Sequence, residues 1–185
     1  MTSLRPALPR PLTRIGLVLG GYVVAFALAL SAVVLRNAAM TDPMAQASSG
    51  MNAFGDAILF VAVFGCVSLL PTGFALLFLR PYRWFWLVLT TLCVLIAATG
   101  VAAVALKIAG WEQPPSSTLG IWAGFAVLRI LPAPLVASGF LLAGISSPHR
   151  PSRLVLFAAT AAEVAVCAYA LAWLVPLFLE SIRRY

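Results

Sequence analysis

The reading of the fold turns on residues 57–106: AILFVAVFGCVSLLPTGFALLFL (57–79), RPYR (80–83) and WFWLVLTTLCVLIAATGVAAVAL (84–106). Two uncharged runs flank a short basic break. Each run supplies the ~20 apolar residues that an α-helix needs to cross a bilayer. So short a link makes the two helices antiparallel neighbours. Working outward, the same pattern recurs at 15–35, 119–146 and 154–178. The expected fold is an all-α polytopic transmembrane helical bundle with five membrane-spanning helices. Residues 15–178 form its single domain, with an Arg/Pro-rich lead at 1–14, an outer loop at 37–55 and a short outer tail at 179–185. The first run is too long for a cleaved signal peptide and no small-x-small site follows it, so it reads as a retained anchor.

Composition agrees. The chain is 63% hydrophobic and 9% charged, with a mean hydropathy of +1.04. A soluble domain of this length needs far more polar surface. The net charge of +7 is not a nucleic-acid footprint, because most arginines sit at the ends of apolar runs, where cytoplasmic loops are basic. The bilayer is the expected partner, with a membrane protein or a second copy of the chain as further candidates. Placing the N-terminus inside puts Arg5, Arg10, Arg14, Arg80, Arg83, Arg150 and Arg153 in the cytoplasm, against Arg36, Lys107, Arg183 and Arg184 outside. That bias favours N-in/C-out, and the setting reads as a bacterial inner membrane. Tyr82, Trp84 and Trp86 would mark the inner surface, and Trp111, Trp122 and Trp173 the outer one.

Arg-Pro occurs at 5–6, 10–11, 80–81 and 150–151. RPYR and RPSR are followed by Thr90 and Thr160 at matching offsets, and Thr72-Gly73-Phe74 resembles Ser138-Gly139-Phe140. A duplicated helical hairpin would produce this. The simpler account is a reused helix-start signal, since arginine anchors the inner surface and proline suits a first helical turn.

Two charges lie inside apolar runs, Arg129 and Glu163. A charge in the membrane costs several kcal/mol unless paired, neutralised or hydrated, so each is a candidate functional group. Counted from the inner ends of their runs on straight helices, Arg129 sits about 25 Å deep and Glu163 about 13 Å. That gap forbids a direct pair unless the fourth run is broken or shifted. Pro132 and Pro134 supply a reason for a break, since each removes a backbone donor, from the carbonyls of Leu128 and Ile130 respectively. Arg129 lies beside those carbonyls and is placed to donate to them. Leu70-Pro71-Thr72-Gly73 suggests a similar break in the second run. Interrupted helices in comparable positions point to a transporter site, whereas a Pro kink with an outward-snorkelling arginine is the plainer structural account.

Tyr22, Thr72, Thr90, Thr91, Cys93 and Ser138 fall at roughly the depth of Glu163, about 9–14 Å from the inner ends. With Glu163 and Arg129 they form a candidate ligand or proton site. The structural alternative is a protonated Glu163 acting as interhelical glue. Gly16-x-x-x-Gly20 and Gly120-x-x-x-Gly124 are candidate helix-packing faces, within the chain or toward a partner. Met40, Met44 and Met51 suit Cu(I) only weakly, since no His or Cys accompanies them. Cys66, Cys93 and Cys167 read as small core residues. His149 is the only histidine, which excludes a bis-histidine haem and leaves no histidine-based zinc site. No catalytic residue, metal site or cofactor is assigned. Three functional readings follow: a non-catalytic accessory or assembly subunit, a small transporter or channel using broken second and fourth spans, or an enzyme acting on lipid or quinone.

Overall fold

The computed structural model describes residues 11–39, 49–110, 112–114 and 116–183. Those residues form six α-helices and no strand: α1 (Pro11–Ala39), α2 (Ser49–Phe78), α3 (Arg83–Ala109), α4 (Thr118–Ile130), α5 (Ala133–Ser146) and α6 (Arg150–Arg183). Four are long and apolar enough to cross a membrane, and α4 with α5, bent by 47° at their junction, make up to a fifth span. The chain divides into two compact units, Met1–Phe78 and Leu79–Tyr185.

In the first unit α1 and α2 pack as a hairpin. Arg14 stacks on Phe78 at 5.4 Å, Gly21 faces Pro71, and Arg36 pairs with Asp56. These contacts share one antiparallel register, in which residue i of α1 meets residue 92 − i of α2. Both ends of the hairpin are therefore fastened by an arginine of α1. Between them Phe26 meets Phe60 edge to face at 5.5 Å. The second run is not broken: α2 is one helix through Pro71. The Pro71 ring is received by Gly21, where an added Cβ would lie 2.8 Å from the proline Cβ. A neighbour without a side chain gives the ring room, and only one backbone donor is lost.

In the second unit α3 packs against α4 and α6, and α5 packs against α6. The buried stripes explain the arrangement. Trp86, Cys93, Ala97, Gly100 and Ala103 line one face of α3, and Leu156, Ala159, Glu163 and Val166 line one face of α6. The residues are mostly small, which lets helices approach closely where apolar area gives no driving force in lipid. Large apolar side chains point outward instead, among them Leu87, Leu95, Leu128 and Leu154. Ser117 caps α4, its hydroxyl accepting from the Gly120 N–H at 3.0 Å, which satisfies one of the orphan donors of a helix start.

Several boundaries and surfaces differ from the sequence reading. Helix α6 begins at Arg150 and runs through Arg183, so the expected outer tail at 179–185 is helical through Arg183. Residues 49–55 of the expected outer loop begin α2; Met40 and Met44 lie outside the described residues, as does Trp111. Trp84 is exposed, but Trp86 is fully buried and its indole N–H donates to the Arg80 carbonyl at 3.2 Å. Trp86 thus anchors the start of α3 rather than a membrane surface. Pro11 opens α1 and Pro151 lies in the first turn of α6, as the helix-start account of Arg-Pro expects, whereas Pro81 lies in the turn before α3.

Candidate functional site

Arg129 and Glu163 meet. Glu163 on α6 has no solvent exposure, and the Arg129 side chain on α4 is 22% exposed. The guanidinium Nη2 lies 2.5 Å from Glu163 Oε1, and Nη1 lies 3.4 Å from Oε2. This is the two-pronged approach that arginine makes to a carboxylate. The same guanidinium donates to the Ile96 carbonyl at 2.8 Å, and its Nε donates to the Thr99 hydroxyl at 3.0 Å. Thr99 in turn donates to the Ile96 carbonyl at 2.6 Å. Three helices are tied at one point.

Gly100 makes room for it. An added Cβ there would lie 2.9 Å from Glu163 Oε1 and 3.0 Å from Arg129 Nη2. Next to Arg129 on α4 and one turn beyond Gly100 and Glu163 on α3 and α6, Ile130, Ala103 and Val166 join Ala126 and Ala133 in an apolar cluster. The charges are therefore desolvated on that side and compensated by each other and by α3.

The depth argument against a pair fails for identifiable reasons. Helix α6 starts at Arg150, four residues before Leu154, which raises Glu163 by about 6 Å. The 47° bend between α4 and α5 removes the straight climb assumed for Arg129. The break itself falls where the two prolines placed it: Leu131 is the C-cap of α4 and Pro132 the N-cap of α5, with φ −77° and ψ 0°. Arg129 does not donate to the freed carbonyls beside it. It reaches across to α3.

Within the second unit the other expected site residues do not join this cluster. In the first unit the Tyr22 and Thr72 hydroxyls bond to each other at 2.8 Å, and Thr72 donates to the Ser68 carbonyl at 2.6 Å. In the second unit Thr90 donates to the Trp86 carbonyl at 2.6 Å, Thr91 to the Leu87 carbonyl at 3.0 Å and Ser138 to the Pro134 carbonyl at 2.8 Å. The threonine and serine hydroxyls of that layer each turn back on their own helix, while the Tyr22 hydroxyl bonds across from α1 to α2. Sequence reasoning missed Ile96, Thr99 and Gly100. The signal was the small-residue run Ala97-Ala98-Thr99-Gly100, which marks a close helix approach.

The proposed packing glycines divide. No described residue of its own unit lies within 4 Å of a Cβ built on Gly16, Gly20 or Gly124, whereas one on Gly120 would strike the Pro114 carbonyl. Intrachain helix packing therefore falls to Gly21, Gly100 and Gly144 instead. Among the described residues no group of three or more His, Cys, Asp or Glu is placed to hold a metal. Scans against protein-family models, curated proteins and solved structures return no match.

Proposed function

We propose that the protein is a non-catalytic integral membrane subunit of a bacterial inner membrane. It spans the bilayer five times, N-in/C-out, and docks to a membrane partner through its helix faces. The observation that carries this reading is the Arg129–Glu163 pair. Both charges within the apolar spans are spent on each other and on α3, so the conspicuous chemistry of the sequence does a packing task. The open glycine faces at Gly16, Gly20 and Gly124 support docking, since small residues admit a partner helix closely.

The test is native purification of the tagged chain in mild detergent, with mass spectrometry of what stays bound. A stoichiometric membrane-protein partner, lost in Gly20→Leu or Gly124→Leu while the monomer stays folded, is the expected result. A chain that purifies alone and retains its phenotype in both variants refutes docking through these faces.

One observation favours a second reading, a small transporter or channel. The pair adjoins a helix break bent by 47°, and a charge pair at a broken helix is a usable two-state element. The continuity of α2 weakens this reading, because the matching break in the second span is absent. Uptake by the reconstituted chain, abolished in Arg129→Met/Glu163→Met, would establish it.

A further inference from the structure

We infer that the second unit binds the phosphate group of an anionic ligand in a basic cavity at the starts of α3 and α6. The cavity measures about 540 Å³, and its lining combines the polar Arg83, His149, Arg150 and Ser152 with the apolar Leu87 and Val155. That volume lies within the usual range for ligand sites, about 300–1,000 Å³.

Charge is the first argument. The acids of this unit are Glu112, Glu163 and Glu180. Glu163 is taken by Arg129, and the other two follow the far end of α3 or lie in the far end of α6. Among the described residues neither Arg83 nor Arg150 has a carboxylate partner. Two guanidiniums therefore line one cavity with no counter-charge from the chain.

The second argument is their position. A helix N-terminus carries partial positive charge and favours anions, so an exposed arginine there adds to a field that attracts an anion. Neither α3 nor α6 has an acidic residue in its first turn, and α3 has no side-chain cap. Arginine opens each helix instead. A phosphate between them would collect guanidinium forks and free N–H groups together. The Thr90 and Thr91 hydroxyls contribute no donor, since they are committed to their own helix.

A lipid headgroup and a soluble phosphate ester share this chemistry. Leu87 and Val155 belong to helices long and apolar enough to span a membrane, which suits a lipid. The inference rests on the membrane reading but not on the docking reading, so the two can fail separately.

The experiment is lipid binding to the full chain in detergent, read by native mass spectrometry with phosphatidylglycerol and phosphatidylcholine. Phosphatidylglycerol is expected to bind preferentially, and Arg83→Gln/Arg150→Gln to weaken it about thirtyfold. Arg183→Gln/Arg184→Gln removes the same charge elsewhere and is expected to leave binding unchanged. Inorganic phosphate supplies the second arm. Competition at millimolar concentration would assign the site to soluble phosphate, and no competition would assign it to lipid. Photoactivatable phosphatidylglycerol on the unaltered chain removes any dependence on variant folding, and its crosslinks should map to residues 83–91 and 148–155. Equal loss in both double variants, no preference over phosphatidylcholine, or crosslinks elsewhere would overturn the inference.

Discussion

Replacing Glu163 tests whether the buried pair holds α3, α4 and α6 together. Glu163 is wholly buried, while the Arg129 side chain is 22% exposed and keeps Ile96 and Thr99 as partners. Removing one partner of a buried pair costs about 3–5 kcal/mol, mostly from stranding the other charge. Glu163→Gln leaves Arg129 with its α3 acceptors and some solvent, so its cost should fall at the low end, about 3 kcal/mol. Arg129→Met strands a carboxylate that has no other partner among the described residues, and its cost should reach about 4–5 kcal/mol. The double variant Arg129→Met/Glu163→Met strands nothing and should lie near the native protein, or up to a few kcal/mol above it. The assay is tryptophan-monitored unfolding in mixed micelles titrated with sodium dodecyl sulfate. If both single variants stay within about 0.5 kcal/mol of native, or if the double equals their sum, the pair does not couple the helices and the packing argument is wrong.

Three further outcomes follow from the same contacts. Gly21→Leu should open the α1–α2 hairpin, since even a Cβ meets Pro71 at 2.8 Å; the overpacking cost is about 1–3 kcal/mol, read as a lower midpoint in the same detergent titration. Gly100→Ala should destabilise by a similar ~1–3 kcal/mol, and that cost should shrink in the Arg129→Met/Glu163→Met background, where the fixed charges no longer crowd the Cβ. Tyr22→Phe should lose only about 0.6 kcal/mol, the mean for a single interhelical hydrogen bond in lipid, because Thr72 keeps the Ser68 carbonyl; a loss above about 2 kcal/mol would mean that the hydroxyl pair holds more than this bond.

Apolar length alone made the helices legible, because a bilayer admits few other solutions for uninterrupted runs of this kind. The prolines were legible only in part. Pro132 and Pro134 remove two donors within one turn, and the chain breaks at Pro132. Pro71 removes one, Gly21 accommodates its ring, and α2 continues. The difference lies in the neighbour, which no local reading of Leu70-Pro71-Thr72-Gly73 contains. Trp86 was misjudged for a related reason. Its position beside a basic break suits an interfacial belt, but its N–H finds the Arg80 carbonyl exposed by the Arg80-Pro81-Tyr82 turn, and the ring is buried. The chemistry of the expected polar layer was not legible, since hydroxyls such as those of Thr90, Thr91 and Ser138 bond to their own helices.

The pair itself shows how a broken helix changes the meaning of a buried charge. On straight helices Arg129 and Glu163 would each need water or a ligand, and each would mark a site. The bend at Pro132 places Arg129 where one guanidinium meets a carboxylate, a carbonyl and a hydroxyl on two neighbouring helices. A kink usually read as a sign of transport here supplies the geometry for internal satisfaction. Arg129→Met/Glu163→Met separates the two meanings, because it removes the charge without stranding a partner. A stable double variant that still forms its complex assigns the pair to packing. A stable double variant that has lost function, with assembly intact, assigns it to ion or substrate passage and removes the docking proposal.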